Sequence, residues 1–413
     1  MDLWICLNPL LPCPTLYAHA PLQSLLAMTI IAFCYSDSRS ASVRYRVKAP
    51  LLWMRRHQGL RVQLVYPGYT LRRIWCALRA YIFGRFIAKP EDVILIHKVY
   101  SRGWYFGMLT NLLRHTRAHI IYDIDDAEWH RNAPESMLQL MQLSHCIHVG
   151  STPLQAHLRS LGKPIAHLTS CLHPPHSLCE GTRSPLHIGW IGGYNSHADA
   201  PSFAHKFAIL EHLLPALNDL PFAIDLTLIG PVLDEDIREL RDWASNCRGQ
   251  VRLHLPRIAD WENESEIDAH IAQWDLGIAL MIDHPFNHAK SAFKAKQCMN
   301  CGVPVIGNRI GDNELFIHNH KTGYVVEDAT AVRQAILHHS GLSQSQRQAM
   351  RAACIAQSRT FHMDVYVQKF SAAISASTRT APPTETDDQA HNSMSHAMLG
   401  AAANPCIALH QRT

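Results

Sequence analysis

The chain has 413 residues, 47% of them hydrophobic and 17% charged, the make-up of an ordinary globular protein with room for about two domains. Its formal net charge of +4 suits an anionic ligand or a membrane surface and is too small to argue for nucleic acid as a partner. Twelve cysteines are scattered along it, and the CxxC of Cys298 and Cys301 has no second ligand pair, which argues against a metal and for reduced thiols in the cytoplasm.

In residues 1–27, Pro9, Pro12, Pro14 and Pro21 interrupt the apolar residues, and no Lys or Arg precedes Arg39. Neither a basic-led secretory signal nor an unbroken apolar span of about 18 residues is written there, so this stretch is expected to be an extension and the fold to begin at Met28. Beyond it, short apolar runs alternate with helical periodicity, the pattern of βαβ units and a parallel sheet. Strands are predicted at 29–34, 61–66, 92–97, 118–124, 145–149 and 164–168, with helices at 43–58, 71–88, 104–114, 134–142 and 152–161.

After the first strand, Ser38-Arg39-Ser40-Ala41-Ser42-Val43-Arg44-Tyr45-Arg46 leads into a helix. Its small residues keep a cleft open, and Arg44, Tyr45 and Arg46 are candidates for binding an acceptor; the plain alternative is a helix start with solvated arginines. Residues 71–89 hold Arg72, Arg73, Arg79, Arg85 and Lys89 and no acid, with Ile74, Leu78, Tyr81 and Ile82 on one helical face. Such an element either lies on an anionic membrane surface or packs into the core. The strand Ile120-Ile121-Tyr122-Asp123-Ile124 ends in Asp125-Asp126. Carboxylates this crowded need offsetting cations or hydrogen bonds, which places Asp125 and Asp126 at a cleft, or else at a helix cap. An Asp-x-Asp after an apolar strand also opens haloacid-dehalogenase-like phosphotransferases, with the first Asp as nucleophile, but there it stands early in the fold and Thr or Val follows where Ala127 stands here.

The polar, proline-bearing stretch around His173-Pro174-Pro175 breaks the rhythm and predicts a hinge at 172–185. A strand then leads into Gly189-x-x-Gly192-Gly193, where Gly192 and Gly193 let phosphate approach helix-start amides; a tight turn alone also asks for glycine, and the dinucleotide fingerprint is incomplete. Further strands are predicted at 223–229, 251–255, 275–280, 303–306 and 323–326, with helices at 199–217, 234–246, 263–273, 289–300, 312–317, 328–338 and 343–357. A helix over 289–300 puts Lys290 and Lys294 on one face and Lys296 on another. It runs into Gly302-Val303-Pro304-Val305-Ile306-Gly307 and then Gly311-Asp312-Asn313-Glu314. Ammoniums, helix-start amides and glycines together suit a phosphorylated ligand, a solvated basic face being the alternative. After a last helix at 361–375, the tail 376–413 has too few large apolar residues to offset the entropy of ordering and is expected to be disordered.

The run from Asp275-Leu276-Gly277-Ile278-Ala279-Leu280 through Pro285-Phe286 and the lysines to the Gly-x-Pro turn resembles the donor-binding half of the group 1, family 4-like glycosyltransferases of bacterial polysaccharide biosynthesis. The resemblance implies an α/β chain of two facing Rossmann-like domains, the GT-B architecture. Residues 28–171 would form the acceptor side and 186–360 would bind the nucleotide-diphosphate sugar, with the 361–375 helix crossing back. It further implies retention of configuration, no cofactor and no metal, and a saccharide or lipid-linked acceptor reached in the cytoplasm or at the inner membrane surface. By the same resemblance, Lys290 and Lys294 hold the departing diphosphate, Gly192, Gly193, Arg257, Gln297 and Glu314 complete the donor site, and Asp125 and Asp126 stand near the reacting sugar, Asp125 where the family usually has His. The family carries two glutamates at the positions of Ala289 and Gln297. A glutamine still hydrogen-bonds a ribose, without the charged acceptor, and this departure leaves a second reading: a protein of the same fold that binds a nucleotide sugar and does not turn it over.

Overall fold

The structure, a computed structural model, describes residues 28–100, 103–130, 134–181, 184–194 and 204–377. The expected extension at 1–27 and the tail from 378 onward lie outside them.

Two parallel six-stranded sheets follow one another along the chain. In the first, β1 (Thr29–Cys34), β2 (Arg61–Val65), β3 (Val93–His97), β4 (His119–Ile124), β5 (Cys146–Val149) and β6 (Ile165–His167) stand in the order β2-β1-β3-β4-β5-β6. In the second, β7 (Leu186–Ile191), β8 (Ile224–Ile229), β9 (Val251–His254), β10 (Leu276–Ala279), β11 (Val305–Asn308) and β12 (Gly323–Val326) stand in the order β12-β11-β10-β7-β8-β9. Both are Rossmann-like, with the winding direction reversing between β1 and β3 and between β7 and β10. At such a switch point the connections leave in opposite directions and open a crevice at the carboxyl ends of the strands.

Central strands β1, β3 and β4 are buried along their whole length, which is why TIIAFC, VILIH and HIIYDI read as apolar runs without alternation. Successive side chains enter opposite cores: Ile31, Phe33, Ile94 and Ile96 pack against Leu109 and Leu112, while Ile30, Ala32, Val93 and Leu95 pack against Val47, Leu51 and Met54. The edge strand β9 keeps Arg252 and His254 exposed.

Two departures from the predicted helices matter for the site. The helix after β1 runs through Ala41–Val43, Arg44–Lys48 and Ala49–Gln58, its middle wound as a π-turn in which Ala49 N–H reaches Arg44 O. Pro50 explains the extra turn, since it has no N–H to donate; the Arg46 carbonyl accepts instead from the Tyr366 hydroxyl at 3.2 Å. The predicted helix 289–300 is broken into Pro285–His288 and Phe293–Asn300, separated by Ala292 in the left-handed region at φ 53°. Lys290 therefore lies in a loop ahead of the helix, and the four-residue spacing that put it on one face with Lys294 does not apply.

The two halves are laced together. Helix Met363–Ser377 packs Met363, Tyr366, Val367 and Phe370 against the first sheet, beside Met28 and Leu51. The chain crosses between halves twice, and the crossings are paired: Leu172 N–H donates to Phe361 O at 3.1 Å and Met363 N–H to Leu172 O at 3.0 Å. Across the cleft floor the Ser151 hydroxyl donates to Ala289 O at 2.6 Å, and the buried Lys296 donates to Ser170 O at 3.0 Å and to the Thr169 hydroxyl.

Candidate functional site

The carboxyl ends of both sheets face one interdomain cleft. A cavity of about 180 Å³ there is lined by Ser42, Asp125 and Asp126 from the first half and by His205, Lys290, Ser291 and Lys294 from the second. It shares Ala41, Tyr45, Phe293 and Lys294 with a wider groove of about 660 Å³, lined also by Arg44, Gly192, Gly193, Tyr194, Trp261 and Gln297. The Tyr45 ring, from the first half, meets the Phe293 ring, from the second, with centroids 4.6 Å apart.

On the first-domain wall, charges from neighbouring parallel strands converge. Lys98, just past β3, is buried at φ 52°, and its ammonium lies 2.6 Å from Asp126 Oδ2, 2.9 Å from Glu128 Oε1 and 3.0 Å from Asp125 Oδ1, the last off the line of a hydrogen bond. Burial disfavours the charge on Lys98, but the three carboxylates outweigh it and hold the ammonium protonated well above its ordinary range. Beneath this group, Arg46 grips Asp123 through Nε at 2.8 Å and its terminal nitrogen at 2.6 Å. His97 Nδ1 is 3.1 Å from Asp123 Oδ1, and its Nε2 is 2.9 Å from Ser42 Oγ. The Ser42 hydroxyl in turn donates to Asp125 Oδ2 at 2.6 Å. A continuous polar chain thus runs from a fully buried ion pair to the carboxylate at the cleft.

The second-domain wall supplies the cations. Lys290 Nζ crosses the cleft to Asp126 Oδ1 at 2.6 Å and sits 4.4 Å from the centre of the Phe286 ring. Burial opposes ionisation of Asp126, yet the ammoniums of Lys290 and Lys98 prevail and hold its carboxyl far below the usual range. Lys294 has no carboxylate partner among the described residues; its Nζ donates to His205 Nε2 at 2.7 Å. Burial, with the nearby Lys290 charge, lowers its pKa to about 7, and burial with the same lysines keeps His205 neutral. Two glycines make room for this arrangement. A Cβ on Gly192, at φ 156°, would lie 2.6 Å from Lys294 Cε, and one on Gly311, at φ 62°, would lie 2.4 Å from Lys290 O.

Of the residues singled out in the sequence, Asp125, Asp126, Lys290, Lys294, Gly192, Gly193, Gln297, Arg44 and Tyr45 line this connected cleft. Arg44 is buried, donates to Arg39 O at 2.9 Å, and leaves Nε without a partner among the described residues. Arg46 does not face the cleft: two residues along a helix is more than half a turn, and its side chain is fully buried on Asp123 and Leu168 O. Glu314 turns outward, half exposed, to pair with Arg309, and Arg257 is exposed in the loop after β9; neither is among the residues lining the cavity or the groove. Asp123, the nucleophile of the phosphotransferase reading, is 1% exposed with both oxygens engaged, which removes that reading. Sequence reasoning missed Lys98, Ser42 and His97. The available signal was topological: β3 and β4 are neighbours with His97 paired to Asp123, so whatever follows each strand meets at the cleft.

No family model matches the sequence, and no curated protein matches it. Solved structures match the fold. HepE of Anabaena in complex with UDP-glucose superposes with a TM-score of 0.61 at 11% identity, covering 84% of this chain and 100% of that one. Sucrose-phosphate synthase from Thermosynechococcus elongatus gives 0.62 at 13% identity over 84% and 98%, and a glycosyltransferase from Rickettsia africae 0.59 at 13% over 86% and 99%. The chain has the GT-B fold. At these identities the likeness extends to architecture, and the GT-B cleft is the place where this chain gathers its lysines, carboxylates and glycines.

Proposed function

We propose that the protein is a glycosyltransferase that moves a sugar from a nucleotide-diphosphate donor to a saccharide or lipid-linked acceptor, in surface polysaccharide biosynthesis, with retention of configuration. One observation carries the reading: Lys290 and Lys294 converge beside the Gly192 turn, opposite Asp125 and Asp126, in the cleft of a GT-B fold. Neighbours of that fold have been crystallised with UDP-glucose, which makes uridine diphosphate sugars the first donors to test.

The nucleoside lies in the wider groove beside Gln297 and Trp261, and the diphosphate over Gly192 reaches Lys294. As the bond from the anomeric carbon to the diphosphate oxygen breaks, negative charge grows on that oxygen, where the two ammoniums are already placed. The acceptor hydroxyl forms the new bond to the anomeric carbon on the same face, and its proton passes to the departing phosphate oxygen. Donor binding exchanges Asp126 for phosphate at Lys290, which frees Asp126 to hydrogen-bond the sugar while Arg44 and Tyr45 meet the acceptor. Closure about 172–185 excludes water that would hydrolyse the donor.

Nucleotide release from a panel of nucleotide sugars, with and without saccharide acceptors, tests the reading. The wild type is expected to release nucleotide with one donor, and Lys290→Ala and Lys294→Ala each to lower turnover about 100-fold or more. Ala289 and Gln297, in place of the family's glutamates, favour one other reading, binding without turnover. Tight nucleotide binding with no release from any donor and acceptor pair would select it.

A further inference from the structure

We propose that the helix from Leu71 to Ile82 and its continuation to Lys89 form a docking surface for an anionic lipid bilayer. The residues this element buries are small: Ala77, Ala80 and Gly84 face the sheet. Its large apolar side chains point the other way, with Leu71 87%, Trp75 62%, Leu78 42%, Ile82 44% and Phe86 70% exposed. Spacings of four, three, four and four residues set these five in one stripe along the helix. The helix packs on the core through its small residues and leaves its large apolar ones outside; Tyr81, which is half-buried and donates to Asn111 Oδ1 at 2.6 Å, does not belong to the stripe.

Cations flank the stripe. Arg72 and Arg79 fall along one side and Arg85 along the other, with Lys89 just beyond and no acid in 71–89. Arg85 lies 4.9 Å from the centre of the Phe86 ring, at the level where a headgroup meets an acyl chain. An apolar stripe edged by arginines and carrying Trp and Phe is complementary to an interface whose outer layer is anionic and whose next layer is hydrocarbon. A second copy of this chain fits worse, because pairing the stripes sets one arginine-edged face with no acid against another. The Leu71 end lies beside the loop after β1, where the neighbouring Arg73 reaches Asp37 at 3.4 Å.

The test is sedimentation of the full-length protein with vesicles, without nucleotide, so that its outcome is independent of sugar transfer. Binding is expected to mixed phosphatidylglycerol and phosphatidylcholine vesicles, and to be lost on phosphatidylcholine alone and at 1 M salt, where the screening length is about 3 Å. The R79Q/R85Q double variant should bind on the order of thirtyfold more weakly. W75S/F86S should remain in the supernatant, with an unchanged melting temperature because both side chains are already exposed. Wild type that does not sediment overturns the proposal, as does equal binding by the double variants, or a concentration-dependent dimer that W75S/F86S abolishes.

Discussion

Lys294 is the residue whose state depends most on what the cleft holds. Its pKa is lowered to about 7 by burial and by Lys290, so above neutrality the amine is free. A diphosphate stabilises the ammonium and raises that pKa, which couples binding to proton uptake. Affinity for a nucleoside diphosphate should therefore be flat below about pH 7 and fall by up to about tenfold per unit above it. Titration at pH 6.5 and 8.5, in buffers of different ionisation enthalpy, is expected to show uptake of a proton only at the higher pH; an unchanged affinity would contradict the account. On the opposite wall, Arg46 and Asp123 form an ion pair whose side chains are 0% and 2% exposed. Arg46→Ala strands a buried carboxylate and should cost about 3–5 kcal/mol in urea unfolding, far beyond the loss expected from a solvated arginine. Ser42→Ala removes the one hydroxyl donor to Asp125 Oδ2. It is predicted to lower turnover about tenfold while leaving donor affinity within about twofold, the split expected if Asp125 has the catalytic role proposed for it and Ser42 positions it.

At the scale of elements, the glycine turn after β7 and the helix start at Phe293 act as one unit. Gly192→Ala sets a Cβ 2.6 Å from the movable Cε of Lys294 and 3.3 Å from the Trp190 ring, at a φ of 156° that an L side chain rarely adopts. The expected result is a lower melting temperature together with nucleoside diphosphate affinity down at least tenfold, because the displaced side chain is the one proposed to grip phosphate; Gly311→Ala, which meets Lys290 O and not Lys294, should lower stability without abolishing that grip. The strands and most helices were legible because buried parallel strands read as apolar runs and the glycines and prolines between them punctuate the chain. Lys290 and Lys294 were legible as a pair, but the break between them was not. Ala292 adopts a conformation that sequence reading reserves for glycine or asparagine, and nothing in an alanine marks it. The outward stripe of residues 71–87 was ambiguous for a related reason. Periodicity shows that a helix has an apolar face, and only the assembled sheet shows that Ala77 and Ala80 take the inner side. The link from Ser42 through His97 to Asp123 joins three separate segments, so no local pattern announces it.

For the molecule as a whole, stability depends on histidines that burial holds in the neutral form. His148 is fully buried without a hydrogen-bond partner among the described residues, and burial lowers its pKa to about 4; His119 and His167 are lowered to about 4 as well. A histidine lowered on folding binds its proton first in the unfolded chain, so stability is lost as pH falls from about 6.5 toward 4. His148 alone should contribute on the order of 2 kcal/mol of that loss at pH 5. The carboxyls of Asp123 and Asp126, held below their usual range, keep their contribution across this window and lose it only in stronger acid. A steep fall in melting temperature between pH 7 and pH 5 is the expected result, and a flat profile would contradict it. In the proposed function, the cleft between the two sheets grips a diphosphate through the lysines around the Ala292 break. The most direct test is a thermal-shift titration of the wild type and Lys294→Ala with uridine and guanosine diphosphates. The account predicts that one of these nucleotides stabilises the wild type and that the variant loses this shift; equal shifts in both proteins, or none in either, would contradict it.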